Sequence, residues 1–185
     1  MKIRDWYFQG WERRIDSDGK KTFVYTGEYY GFPGGAKPLK IPAAVLTAAL
    51  LGMYLLVAFL PSPGGMWHYA APPQLIEILP LVYLAIGAVQ FLRAPERMTY
   101  RAFHTSWLRI KRASLWSLIL TGCMVLAEII YLFAVPEAEL SRELLYLLGE
   151  LACAALSAAL CLFVRRHPYT QTTNTDQIQE KKVNV

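Results

Sequence analysis

The sequence predicts an all-α membrane protein: an antiparallel bundle of four transmembrane helices, with a small cytoplasmic N-terminal β-hairpin and a basic amphipathic helix in the loop between spans two and three. Three observations predict it. The 185 residues are 55% hydrophobic and only 18% charged, against roughly a quarter charged in soluble domains. The apolar excess falls in blocks of about twenty residues, the length a helix needs to cross roughly 30 Å of hydrocarbon. The basic residues fall outside those blocks and almost all on one side: of 19 Lys and Arg, eight precede the first block, none lies in 61–72, six lie in 93–114, one in 135–143 and four in 165–185. Positive residues collect in cytoplasmic segments, so both termini and the second loop are expected in the cytoplasm and only Arg142 outside.

Residues 1–40 form an aromatic and basic segment. No secretory signal is read in MKIRDWYFQGWERRIDSDGK, which lacks an apolar run, so the first span is expected to do the targeting. In RRIDSDGKKTFVY, Asp16, Ser17, Asp18 and Gly19 separate two strand-like runs, which predicts a hairpin. Two strands alone are marginal in water. Trp6, Tyr7, Trp11, Phe23, Tyr25, Tyr29 and Tyr30 therefore serve either to anchor the hairpin on the protein's own helices or to dock a partner. FPGGAKPLK reads as a flexible lead into the membrane domain, residues 41–164.

The first span, 41–60, carries no charge, starts beside Pro42 and stops before Pro61 and Pro63. The second, 73–92, includes Glu77 and Pro80; the third, 115–134, Glu128; the fourth, 144–164, Glu150. Apolar attraction between helices is largely absent in lipid, so small residues must permit close packing. Ala44, Ala48 and Gly52 in the first span and Gly149, Cys153, Ser157 and Cys161 in the fourth recur at four-residue spacing, marking contact faces within the chain or between protomers.

The outer loop PSPGGMWHYAAPP reads as an interfacial turn in which Trp67 and Tyr69 favour the headgroup layer. His68 has no carboxylate beside it there. In the second loop, Tyr100, Phe103, Trp107 and Ile110 recur at helical spacing among Arg101, Arg109, Lys111 and Arg112. This predicts a helix capped by Thr99, lying at the inner membrane surface among anionic headgroups or against a partner. Nucleic acid is not expected as a partner, since the aromatic stripe is needed for the membrane or the hairpin. The tail 165–185 is polar and aperiodic, and is expected to be disordered or a late-ordering segment.

Ionisable groups inside a bilayer are costly, and each calls for a hypothesis. Glu77 lies about one turn from the outer end of its span, beside the carbonyl of Ile76 that Pro80 frees. Glu128 and Glu150 lie on helices of opposite direction, each six residues from the outer boundary and so ~9 Å deep. Thr121, Met124 and Tyr131 share the face of Glu128; Tyr146, Cys153 and Ser157 share that of Glu150. Cys123 points elsewhere. If these faces meet, Glu128, Glu150, Tyr131, Tyr146 and Cys153, with Glu77, form an intramembrane polar site able to share protons or hold a cation. Two close carboxyls in low dielectric cannot both ionise cheaply. The competing reading has each Glu protonated and hydrogen-bonded locally. The metal preference is left open, since no His joins the cluster and no CxxC pair occurs. Neither a GxSxG elbow, an HExxH helix nor a phosphate loop is present, so no cofactor is expected, and a membrane enzyme stands only as a third reading with no residue set to carry it.

The stretches YTGEYYGF, LPSPGG and APERMTYRAF resemble small four-span membrane proteins of anaerobic Firmicutes, across residues 22–135. The resemblance implies a bacterial plasma membrane and no substrate. The leading expectation is a non-enzymatic accessory or assembly subunit with a membrane-protein partner or as a homo-oligomer. The alternative is a small oligomeric transporter or channel for protons or cations that uses the intramembrane carboxyls.

Overall fold

The computed structural model describes residues 10–15, 21–60, 62–66, 70–135 and 140–172. It is mostly helical, with four helices long and apolar enough to cross a membrane. The order is β1 (Trp11–Ile15), β2 (Lys21–Tyr25), β3 (Tyr29–Gly31), α1 (Lys37–Ala58), α2 (Ala71–Arg93), β4 (Met98–Thr99), α3 (Tyr100–Thr105), α4 (Trp107–Ala134), α5 (Leu140–Arg166) and β5 (Thr170–Thr172). Helix α1 packs on α2 and α5, and α4 packs on the same two, so the four long helices close a ring around a shared interior.

The expected hairpin is present: β1 and β2 pair antiparallel from Trp11 opposite Tyr25 to Ile15 opposite Lys21. The turn expected at 16–19 lies outside the described residues. A second sheet has the order β4–β3–β5, with Tyr30 opposite both Met98 and Gln171. It joins segments that precede α1, connect α2 to α4, and follow α5. These share one end of the molecule, the strand end; residues 62–66 lie at the other, the loop end. Of the two expectations for the tail, Thr170–Thr172 follows the ordered one: pairing with β3 satisfies backbone groups that the polar sequence left unassigned. Residues 173–185 lie outside the described residues.

Each span begins earlier than its apolar core because the flanking polar residues continue the same backbone hydrogen bonding. In α1, Pro38 occupies the first turn, where a missing N–H costs nothing, while Pro42 falls inside the helix. Lys40 donates its ammonium to the carbonyls of Leu92, at 3.2 Å, and Ala94. A cation there complements the C-terminal end of α2. The buried face of α1 is Leu39, Ala43, Thr47, Leu50, Tyr54 and Val57. The small stripe Ala44, Ala48, Gly52 is therefore not a contact face within the chain: Ala48 and Gly52 are exposed, and a Cβ on Gly52 would meet nothing within 4 Å. In α5 the predicted stripe does face inward, with Gly149, Cys153, Ser157 and Cys161 all buried.

The helix expected to lie on the membrane surface is instead split. Thr99 caps α3, accepting from the Ala102 N–H at 3.4 Å, and Ser106 (φ −106°, ψ −85°) breaks the path before α4 continues into the third span. Phe103, Trp107 and Ile110 are buried in the core and do not face a membrane surface. Tyr30 stacks on Phe103 at 4.6 Å, and Phe32 and Phe91 flank Trp107 at 4.7 and 5.0 Å. The aromatic stripe thus seals the strand end with the chain's own rings. Tyr100 remains half-buried beside Tyr30, while Arg101, Lys111 and Arg112 are exposed and Arg109 is half-buried.

Candidate functional site

Four carboxyl side chains lie inside the ring of helices, Glu77 on α2, Glu128 on α4 and Glu143 and Glu150 on α5, none more than 1% exposed. No Lys, Arg or His is buried among the described residues. Helical spacing brings the α4 groups inward together: Ser114, Ser117, Thr121, Met124, Glu128 and Tyr131 follow one another at three- and four-residue steps and are all buried. On α5, Glu143, Tyr146, Glu150, Cys153 and Ser157 do the same.

At the loop end, residues 62–66 fold back onto the ring. Ser62 donates its hydroxyl to Glu143 Oε2 at 2.5 Å and accepts from the Gly65 N–H at 3.0 Å; the Gly64 N–H reaches Glu143 Oε1 at 3.5 Å. Glu143 stands in the first turn of α5, where a carboxylate complements the helix N-terminus. The Glu128 carboxyl comes within hydrogen-bonding reach of Glu143. Neither Glu128 oxygen meets an N–H or O–H donor among the described residues. Two carboxyl groups bond to each other only through a proton held between them.

Deeper in, Glu77 Oε1 accepts from Ser117 at 3.0 Å, and the Ser117 and Ser157 hydroxyls lie 3.1 Å apart. The Tyr146 hydroxyl approaches Glu150 without closing a hydrogen bond, so both Glu150 oxygens and the phenol oxygen lack partners among the described residues. Glu77 Oε2 is likewise unpartnered. Tyr54 turns its hydroxyl to the Gln74 carbonyl at 2.6 Å, and Thr121 bonds back to the carbonyl of Ser117 at 2.9 Å. Cys153 is buried beside the acids, and Cys123 is exposed.

Glu77, Glu128, Glu150, Tyr131, Tyr146 and Cys153 are all buried in the structure. The nearest carboxyl partner of Glu128 is Glu143 rather than Glu150. Glu143 escaped notice because the fourth span was begun at 144, leaving this residue in a loop presumed wet. Ser62, Gly64 and Gly65 escaped for a related reason: an uncharged Gly-Pro loop reads as an interfacial turn, and nothing local signals that it folds inward. Trp67, His68 and Tyr69 lie outside the described residues.

Chemically, the arrangement is acceptor-rich and cation-poor. An ionised carboxylate buried without a partner costs several kcal/mol, so the acids must take up protons or a cation. Among the described residues no three His, Cys, Asp or Glu side chains converge as metal ligands. Comparison with protein-family models, with curated proteins and with solved structures finds no match for the chain.

Proposed function

We propose that the protein is a small plasma-membrane transporter or channel that moves protons through the buried carboxyls, with its four long helices arranged as an antiparallel transmembrane bundle. The observation that carries this reading is the polar column inside the ring, from Glu143 and Glu128 at the loop end through Glu150 and Glu77 to Ser117, Ser157 and Ser114. From Glu128 to Ser114 is ~21 Å of α-helix, most of the roughly 30 Å of a hydrocarbon core. Buried carboxyl and hydroxyl groups at such depth mark proton pathways. Protons are preferred to divalent cations because the carboxyls meet in a pair and not in a ligand set.

The strand end is assigned to the cytoplasm. In the sequence, 18 of the 19 Lys and Arg fall in the segments 1–40, 93–114 and 165–185 that supply its strands, and the pairing of β3 with both β4 and β5 is compatible only with an even number of crossings between them. The accessory-subunit reading keeps one supporting observation, the exposed Trp11 and Phe23 of the hairpin; a stoichiometric partner lost on deleting residues 1–36 would favour it. Of the other aromatic residues it relied on, Tyr25 and Tyr30 are buried and Tyr29 is half-buried, while Trp6 and Tyr7 lie outside the described residues.

The test is proton flux into liposomes holding the purified chain, compared with the Glu128→Gln, Glu143→Gln double variant. Flux in the wild type that falls at least about tenfold in the variant is expected, the contribution of positioned proton-transfer groups being about 100-fold or more. No flux in the wild type, or equal flux in both, overturns the proposal.

A further inference from the structure

A groove of about 560 Å³ runs along the outer flank of the α2–α4 seam. Ile76 and Leu79 of α2 and Trp116 and Leu120 of α4 line its apolar length, and Tyr83, His104, Thr105, Arg109 and Arg112 line its strand end. No lining residue is acidic. The Arg109 guanidinium lies 5.3 Å over the Tyr83 ring, which holds this cation at the rim by cation–π attraction. Leu79 and Trp116 are 64% and 60% exposed, so the groove opens away from the carboxyl interior, toward where lipid surrounds the helices.

From Arg109 to Leu120 the groove follows ~16 Å of helix, close to half of the roughly 30 Å hydrocarbon thickness. That is the depth of a single leaflet. We propose that the groove binds one phospholipid with an anionic headgroup, drawn from the leaflet at the strand end: the phosphate on Arg109 and Arg112, one acyl chain along Ile76, Leu79, Trp116 and Leu120. Charge and shape select this occupant. Guanidinium groups pair with phosphate oxygens in bidentate geometry, and a zwitterionic headgroup leaves their charge less well matched. A soluble anion would leave the apolar length unfilled. The site depends on the chain spanning a membrane and not on proton movement.

The full chain is assembled in nanodiscs containing equal phosphatidylcholine and phosphatidylglycerol, released into mild detergent, and weighed by native mass spectrometry. Retention of one phosphatidylglycerol per chain is expected. The Arg109→Gln, Arg112→Gln variant is expected to lose the preference for it by roughly 30-fold, the effect of two arginines at a membrane surface. Arg165→Gln with Arg166→Gln, which removes two exposed charges at the same end, is expected to keep it, and Leu79→Trp, which crowds the apolar length, to lose bound lipid with every charge in place. Equal retention of both lipids by the wild type, equal loss in the two arginine pairs, or a second copy of the chain in place of lipid each overturns the proposal.

Discussion

At positions 64 and 65 the space for a side chain is already taken. A Cβ on Gly64 would fall 2.6 Å from Glu128 Oε2 and 2.7 Å from Tyr131 Cδ1, and one on Gly65 2.8 Å from Tyr146 Cζ. Neither glycine has positive φ, so the demand is for room and not for a special backbone conformation. Gly64→Ala is expected to cost about 1–3 kcal/mol, as overpacking does, and to lower the thermal midpoint in detergent. Ser62→Ala removes a hydroxyl that both donates to Glu143 and accepts from Gly65, for a loss of about 1–3 kcal/mol in the same measurement. At the other end, the Tyr25 hydroxyl donates to the Glu28 carbonyl at 2.9 Å and accepts from the Tyr100 N–H at 3.0 Å. Burial raises its pKa above the ordinary 10.0. With the folded value above the unfolded one, the stabilisation is full below pH ~10 and declines as pH rises through the folded value. Tyr25→Phe is expected to weaken the strand end at neutral pH and to remove that alkaline decline, read by hydrogen exchange at Tyr100.

Among the elements, α1 and α5 come close together at Gly149, where an added Cβ would lie 2.5 Å from Val57 Cγ2. Gly149→Leu is expected to force these helices apart and cost more than about 3 kcal/mol, beyond the usual range of overpacking; adding Val57→Ala is expected to recover part of it. The spacing of Gly149, Cys153 and Ser157 made this face legible in the sequence, as apolar length made the four long helices legible and Asp16–Gly19 the hairpin. What spacing cannot tell is which of two small-residue faces meets a neighbour. In α1 the larger Leu39, Leu50 and Tyr54 turned inward and Gly52 did not, because the aromatic seal and the polar column need volume there. The stripe from Tyr100 to Ile110 was correctly read as helical and amphipathic but was given the wrong neighbour. Its apolar side met Phe91, at the end of the preceding long helix, and Phe32, far away in sequence. Strands of two or three residues, such as β4 and β5, carry too little pattern to be seen locally.

For the whole molecule, the three-stranded sheet ties distant parts of the chain: Thr170 Oγ1 donates to the Gly31 carbonyl across 139 positions, at 3.4 Å. Ending the chain after Tyr169 is expected to speed amide exchange at Tyr30 and Gly31 while leaving the centres of the long helices protected, as mass spectrometry of exchanged peptides would record. Opening a surface strand edge releases a local unit without unfolding the interior. Synthesis proceeds from the N-terminus, so β3 leaves the ribosome long before its partner β5 exists. The edge that β5 covers stays open until the last of the four long helices has been made. A chain that ends before β5 can pair β3 only with β4 and leaves its other edge open; the pairing of Thr170–Thr172 closes it.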